Sequence, residues 1–251
     1  MVLARLVDTF AIPRSDFIRA EVSSYGMGHV LSIMARFFER YGTDLVLYGG
    51  QTASEYLYGY HRMRSATTDL DYLCTPHGIE RIVNREPGLR YHPEYDVLFT
   101  YADSVPVSFA IDRIHDCPIA PDFFSSAQTL KIPGGFVHAC SPEYSIMLKL
   151  RRTGECLANR RKPFGKDAID IINVITGSHL RPDRPELDAA RLVELVFRYV
   201  SRDPDENAEI FRRIEEYGSH LPRHDIPVFA AAMDQIYGEL DRLAAAGGPI
   251  G

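Results

Sequence analysis

Residues 47 to 73 read LYGGQTASEYLYGYHRMRSATTDLDYL. An apolar run ends in Gly49-Gly50, and nineteen positions after the second glycine Asp69-Leu70-Asp71 stands inside another apolar run. Residues two apart in a strand point to the same side, so Asp69 and Asp71 share a face while Leu70 and Tyr72 turn the other way. Like charges held that close repel unless a cation or a proton lies between them, which is the logic of a divalent-metal site. A strand end carrying solvated acids is the plain alternative, and the surrounding sequence has to decide.

Upstream, DLVLY (44–48) reads as a strand and TASEYLYGY (52–60) as a helix, with the glycines at the turn between them. Missing side chains there let backbone N–H groups and a helix N-terminus approach a phosphate, although a simple tight turn has the same signature. Downstream, VPVSFAID (105–112) alternates: Val105, Val107, Phe109 and Ile111 on one face, Ser108, Ala110 and Asp112 on the other. If that strand neighbours the first acidic one, Asp112 joins Asp69 and Asp71, and three carboxylates can hold two Mg²⁺ ions. Asp103 and Asp116 compete for the third place, and a charged residue on a wet sheet face is the other account of Asp112.

The rest of the chain builds a mixed α/β sheet around these runs. GHVLSIMARFFER (28–40) has Val30, Ile33, Met34 and Phe37 at helical spacing, and further strands are expected at 68–74, 95–101 and 136–140. SPEYSIMLKLRRTGE opens a helix with Ser141 as N-cap and Pro142 at the first position, and KDAIDIINVI makes a second. From Leu187 onward three amphipathic patterns follow one another, so residues 1–180 are expected to form the α/β core flanked by helices and 181–251 a helical C-terminal region.

Lys149 lies in Ile146-Met147-Leu148-Lys149-Leu150, apolar on nearly every side, where an ammonium group must reach water, an acid or a bound anion such as a triphosphate. In the next helix Asp167, Asp170 and Asn173 share a face. Asp167 there either faces Lys149 and the site or serves as a first-turn acid satisfying the helix dipole. Between the two helices Arg151, Arg152, Arg160, Arg161, Lys162 and Lys166 make the dense basic cluster of an acidic chain, suited to phosphates of a nucleotide or an RNA and equally to a solvated loop. Tyr56, Tyr58 and Tyr60 are suited to stacking a base or to packing.

Composition bounds the partners. A chain of 251 residues, 45% hydrophobic with net charge −6, suits a globular protein whose overall field attracts neither nucleic acid nor an anionic membrane, so any phosphate grip is local. Cys74, Cys117, Cys140 and Cys156 are too scattered for a zinc site and read as reduced thiols of a cytoplasmic protein, with no apolar run long enough to span a membrane.

Leu47-Tyr48-Gly49-Gly50 followed by Asp69-Leu70-Asp71-Tyr72 resembles the hG[GS]…Dh[DE]h signature of the DNA polymerase β-like nucleotidyltransferase superfamily, with Asp112 matching its third carboxylate. SPEYSIMLKLRRTGECLANRRKPFGKDAIDIINVI is similar to the helix pair of the AbiEii/MenT-type nucleotidyltransferase-like toxins, and the resemblance spans residues 28 to 175. It implies a metal-dependent transfer of NMP from an NTP to an acceptor hydroxyl. Asp69, Asp71 and Asp112 would bind Mg²⁺ or Mn²⁺, Asp112 would activate the nucleophile, Gly49 and Gly50 would admit the phosphates, and Lys149 with Asp167 beside it would neutralise and frame them. The implied partners are the NTP, tRNA or a protein as acceptor, and a cognate antitoxin. A small-molecule, aminoglycoside-type nucleotidyltransferase uses the same core, and an inactive homologue acting as a binding or regulatory protein is the reading from another class.

Overall fold

The computed structural model describes residues 2–15, 26–60, 69–111, 113–114, 117–159 and 165–246. They form two compact units, the first drawn from 1–51 and 66–140, the second from 52–65 and 141–251.

The first unit contains helices α1 (Val2–Thr9), α2 (Met27–Tyr41), α3 (Pro76–Arg85) and the short α4 (Phe123–Ser126). Its strands are β1 (Leu45–Tyr48), β2 (Leu70–Cys74), β3 (Arg90–His92), β4 (Val97–Ala102), β5 (Val105–Ala110), β6 (Arg113–Ile114), β7 (Cys117–Pro118), β8 (Gln128–Ile132) and β9 (Gly135–Ala139). Seven of them form one mixed sheet in the order β3-β4-β5-β2-β1-β9-β8, while β6 and β7 pair separately. β2 runs antiparallel to β1 and parallel to β5, and β1 runs parallel to β9.

Strand composition explains this order. All four residues of β1 and all six of β5 are buried, as interior strands covered on both faces require. β2 buries Leu70, Tyr72, Leu73 and Cys74 and leaves Asp71 half-buried. Helix α2 covers one sheet face: the Phe37 ring lies 5.7 Å from that of Tyr72 and 5.9 Å from that of Phe109. Because side chains alternate along a strand, packing Tyr72 and Phe109 under α2 sends Asp71 and Ser108 to the opposite face. At the far end of β2, Thr75 caps α3 by accepting the Gly78 N–H at 2.9 Å, and Arg81 of that helix donates to Asp44 at 2.6 Å.

The second unit comprises α5 (Pro142–Ala158), α6 (Gly165–Leu180), α7 (Ala189–Tyr199), α8 (Pro204–Glu215) and α9 (Ile226–Ala245), with the segment 52–60 packed among them. The compact units thus divide at 140/141, so α5 and α6, read from sequence with residues 1–180, pack with the C-terminal helices. The cause is the burial of α6, where Asp167, Ala168, and every residue from Asp170 to Ser178 are covered, more than a single apolar stripe would need.

The helix expected over 52–60 does not form. A 3-10 turn spans Gly49–Ala53, and the chain then bends irregularly. Its carbonyls go elsewhere than to helical partners: those of Glu55, Leu57 and Gly59 accept from Arg181 Nη1 at 2.6, 3.1 and 3.1 Å. Arg184 donates to the Leu57 and Tyr56 carbonyls at 2.7 and 2.8 Å. Asn173 closes the arrangement, donating to the Ala53 carbonyl at 2.9 Å and accepting the Tyr60 N–H at 3.1 Å. The approach is close enough that a Cβ on Gly177 would fall 1.9 Å from the Tyr58 carbonyl oxygen. Among the described residues, no helix is long and apolar enough to cross a membrane.

Candidate functional site

In the first unit, the end of β1 and the start of β2 bring the glycine turn onto the acidic motif. Gly49 has φ +80°, a conformation that side chains disfavour, and an ideal Cβ there would lie 2.7 Å from Asp71 Oδ2. The position therefore excludes a side chain on two independent grounds, and the Asp71 carboxylate occupies the space beside the bare Cα. Gly50 continues the same 3-10 turn. Asp69 is exposed and stands one residue before β2 begins, so it enters the strand rather than lying within it.

Asp71 is register partner of Tyr48 on β1 and of Ser108 on β5. Ser108 Oγ donates to Asp71 Oδ1 at 2.7 Å. The three side chains form one row across adjacent strands, on the sheet face away from α2. Burial pushes the Tyr48 phenol well above its ordinary pKa, the Asp71 charge adds to the shift, and a hydrogen bond with Ser108 offsets part of it. Tyr48 therefore stays a neutral phenol next to the carboxylate.

Among the described residues no cluster of three His, Cys, Asp or Glu side chains could hold a metal ion. Asp112, the third carboxylate of the sequence reading, and Asp116, one of its rivals, lie outside the described residues. Asp103, the other rival, is in the turn between β4 and β5 and pairs with Arg36 of α2. What the first unit offers is a pair of hard oxygen donors in Asp69 and Asp71. That set fits Mg²⁺, which is commonly held by one or two carboxylates together with substrate phosphates, and not a closed cage made by protein alone.

The remaining predicted residues belong to the second unit. Lys149 Nζ donates to Asp170 Oδ2 at 2.7 Å and lies 3.8 Å from Asp167 Oδ1. Arg152 Nε lies 3.4 Å from Asp167 Oδ2, an oxygen that is buried and accepts no hydrogen bond. Lys149, Asp167 and Asp170 are exposed by only 7, 2 and 3%, so α5 and α6 are joined by a buried lysine between two buried acids, with the half-exposed Arg152 at its edge. Of the openings the sequence left for Lys149, the one occupied is the neighbouring acid. In the basic cluster, Arg151 pairs with Glu155, while Arg160, Arg161 and Lys162 lie outside the described residues. Tyr58 is fully buried and Tyr60 is exposed.

Two contributions escaped the sequence. Ser108 reads as a small residue beside Asp112, because its bond to Asp71 depends on a parallel register that no local pattern encodes. Arg181 and Arg184, in the Pro/Asp-rich stretch where the helical C-terminal region was expected to begin and given no role there, hold the chain that follows the glycine turn.

No protein-family model matches the chain, and no curated protein matches it at a significant level. Among solved structures the chain is similar to the antibiotic-resistance factor ANT(2'')-Ia, determined in solution, with 14% identity and a TM-score of 0.37 over 86% of this chain and 95% of that one.

Proposed function

We propose that the chain is a nucleotidyltransferase whose site is built on Gly49, Gly50, Asp69 and Asp71. The observation that carries this reading is the contact of the Gly49 turn with the Asp71 carboxylate, where any Cβ would lie 2.7 Å from Oδ2. A backbone turn without side chains, pressed against an acid that can hold a cation, suits the simultaneous approach of phosphate and metal. In the proposed reaction an acceptor hydroxyl attacks the α-phosphorus of an NTP. The new O–P bond forms as the bond to the pyrophosphate oxygen breaks, and the hydroxyl proton passes to a carboxylate, the role assigned to Asp112 from the sequence.

Asp69 and Asp71 would hold Mg²⁺ or Mn²⁺, which when bound with the triphosphate neutralises its charge. Gly49 and Gly50 leave the turn bare of side chains where the phosphates would approach. Lys149 and Asp167 are satisfied within their own helical unit and are left out of the proposed phosphate site. The resemblance to the AbiEii/MenT-type toxins points to tRNA or protein as acceptor and to an antitoxin as partner, and a small aminoglycoside-type acceptor is the alternative.

The test is incubation with each α-labelled NTP and Mg²⁺, in turn with total RNA, cell protein and an aminoglycoside mixture. Label retained on one acceptor, with release of pyrophosphate, is the expected result and identifies the acceptor class. No label on any acceptor and no pyrophosphate from any NTP would reject the activity and leave an inactive binding protein.

A further inference from the structure

The helical unit holds a cavity of about 490 Å³ where the C-terminal ends of α5 and α7 meet the first two turns of α8. Small-molecule sites span about 300–1,000 Å³, so this one has room for a ligand. None of its lining belongs to the residues assigned to nucleotide transfer. Leu157, Tyr199, Val200 and Ile210 supply an apolar wall. The missing side chain of Gly154 lets α5 lie close to α8, since a Cβ there would stand 3.1 Å from Ile210 Cδ1.

Four charged side chains also line the cavity, and three of them are matched by opposite charges. Arg151 pairs with Glu155 at 3.2 Å. Glu209 pairs with Arg212 at 2.6 Å and Arg213 at 2.7 Å, and Glu216 balances the second of those cations. Glu206 is the fourth. It accepts the Ser201 hydroxyl at 2.5 Å and, among the described residues, makes no ion pair. The ends of α5 and α7 add to the same field, because the last carbonyls of a helix carry the negative end of its dipole. We propose that this cavity binds an organic monocation, with an ammonium group beside Glu206 and an apolar body against Leu157, Val200 and Ile210.

The experiment follows the methyl resonances of Leu157, Val200 and Ile210 in the isotope-labelled full chain during titration with three probes of one shape: 4-phenylbutylamine, 4-phenylbutan-1-ol and 4-phenylbutyrate. Each is titrated into the wild type, Glu206→Gln and Glu206→Lys, whose melting temperatures are recorded. Glutamine keeps an oxygen for the Ser201 hydroxyl and removes only the charge. In the wild type the amine shifts these methyls at about millimolar concentration, as suits so small a ligand. Because Glu206 is exposed, the amine binds only about fivefold more tightly than the alcohol, and the carboxylate binds more weakly than either. Glu206→Gln lowers the amine to the affinity of the alcohol and leaves the alcohol unchanged, while Glu206→Lys makes the carboxylate the best of the three. Equal binding of all three probes to the wild type would mean that charge selects nothing here, and overturns the proposal. An advantage of the amine that survives in Glu206→Gln does the same. Methyls that stay unshifted with every probe up to about 10 mM remove the cavity as a binding site.

Discussion

Two pairs of acids stand in this chain at short spacing, Asp69 and Asp71 ahead of and within β2, Asp167 and Asp170 in the first turns of α6, and the fold treats them in opposite ways. The helical pair is buried and matched by Lys149 and Arg152. The strand pair has one exposed member, and the other, half-buried, accepts a hydrogen bond from the Ser108 hydroxyl. Buried carboxylates need opposite charges to remain ionised, and a pair so matched has its attraction already spent. The comparison teaches that DxD and DxxD cannot be ranked by motif alone, since what distinguishes them is how deeply the fold buries them.

The largest effect should come from breaking the strand pair. Asp71→Asn is expected to reduce nucleotide transfer by about a thousandfold or more, because a metal ligand supplies several kcal/mol to a charged transition state. The melting temperature should move little. Transfer at the wild-type rate under saturating Mg²⁺ would show that Asp71 holds no essential ion.

Next in size is the helical pair, where the expected loss is of stability. Lys149→Ala takes the shared lysine from two buried acids, and removing one partner of a buried pair costs about 3–5 kcal/mol. Replacing both partners, Lys149→Met with Asp170→Leu, should recover most of that loss in urea unfolding, since a buried ion pair is often no better than apolar groups of similar size. If Lys149→Ala unfolds at the wild-type urea concentration yet binds Mg-NTP far more weakly, the lysine belongs to the phosphates and the contrast drawn between the two pairs fails.

Gly49→Ala should have a smaller and mixed effect. At φ +80° a side chain costs of order 1–2 kcal/mol, and the Cβ must also displace the Asp71 carboxylate from 2.7 Å. Both unfolding stability and Mn²⁺ affinity should fall together. A variant that loses stability but keeps Mn²⁺ affinity would separate the turn from the acid.

Much of the fold was legible because short-range pattern decides it. The helical spacing of Val30, Ile33, Met34 and Phe37 marks α2, the all-apolar β1 marks an interior strand, and Ser141-Pro142 marks the start of α5, although the serine makes no side-chain cap bond. β3 and β8 were not legible: β3 has three residues, and β8 alternates Thr129, Leu130, Lys131 and Ile132 too briefly to stand out. The segment 52–60 misleads for a different reason. Its own residues permit a helix, and long-range arginines take its carbonyls instead. Of the site, Gly49, Asp69 and Asp71 could be read from order and residue type, whereas Ser108 required the parallel pairing of β2 with β5 and Lys149 required knowing that Asp170 lies within reach.

The smallest effect at neutral pH, and the one that extends the comparison to the two units as wholes, is alkaline sensitivity. Among the described residues, tyrosines held above their ordinary pKa stand in both units. Burial lifts Tyr48 and Tyr72, burial with a bond to Glu86 lifts Tyr41, and burial with a bond to Asp96 pushes Tyr91 up to about 12. In the helical unit Tyr237 is lifted by burial and its bond to Glu215. An unfolded tyrosine releases its proton near pH 10, while these keep theirs to higher pH. Above about pH 10 the unfolded chain therefore binds fewer protons than the folded one, and the stability these groups contribute, complete below that pH, is lost as pH rises through the folded values. Tyr41, Tyr48, Tyr72 and Tyr91 should therefore make the sheet unit loosen as the pH rises above about 10. Brief digestion with an alkaline protease between about pH 9 and 11.5, with the fragments mapped by mass, should show cuts in β1, β2 and β4 that appear only as the pH rises through this range. Cuts in these strands that are as frequent at about pH 9 as at about pH 11.5 would mean that the buried phenols do not set the alkaline limit of the sheet.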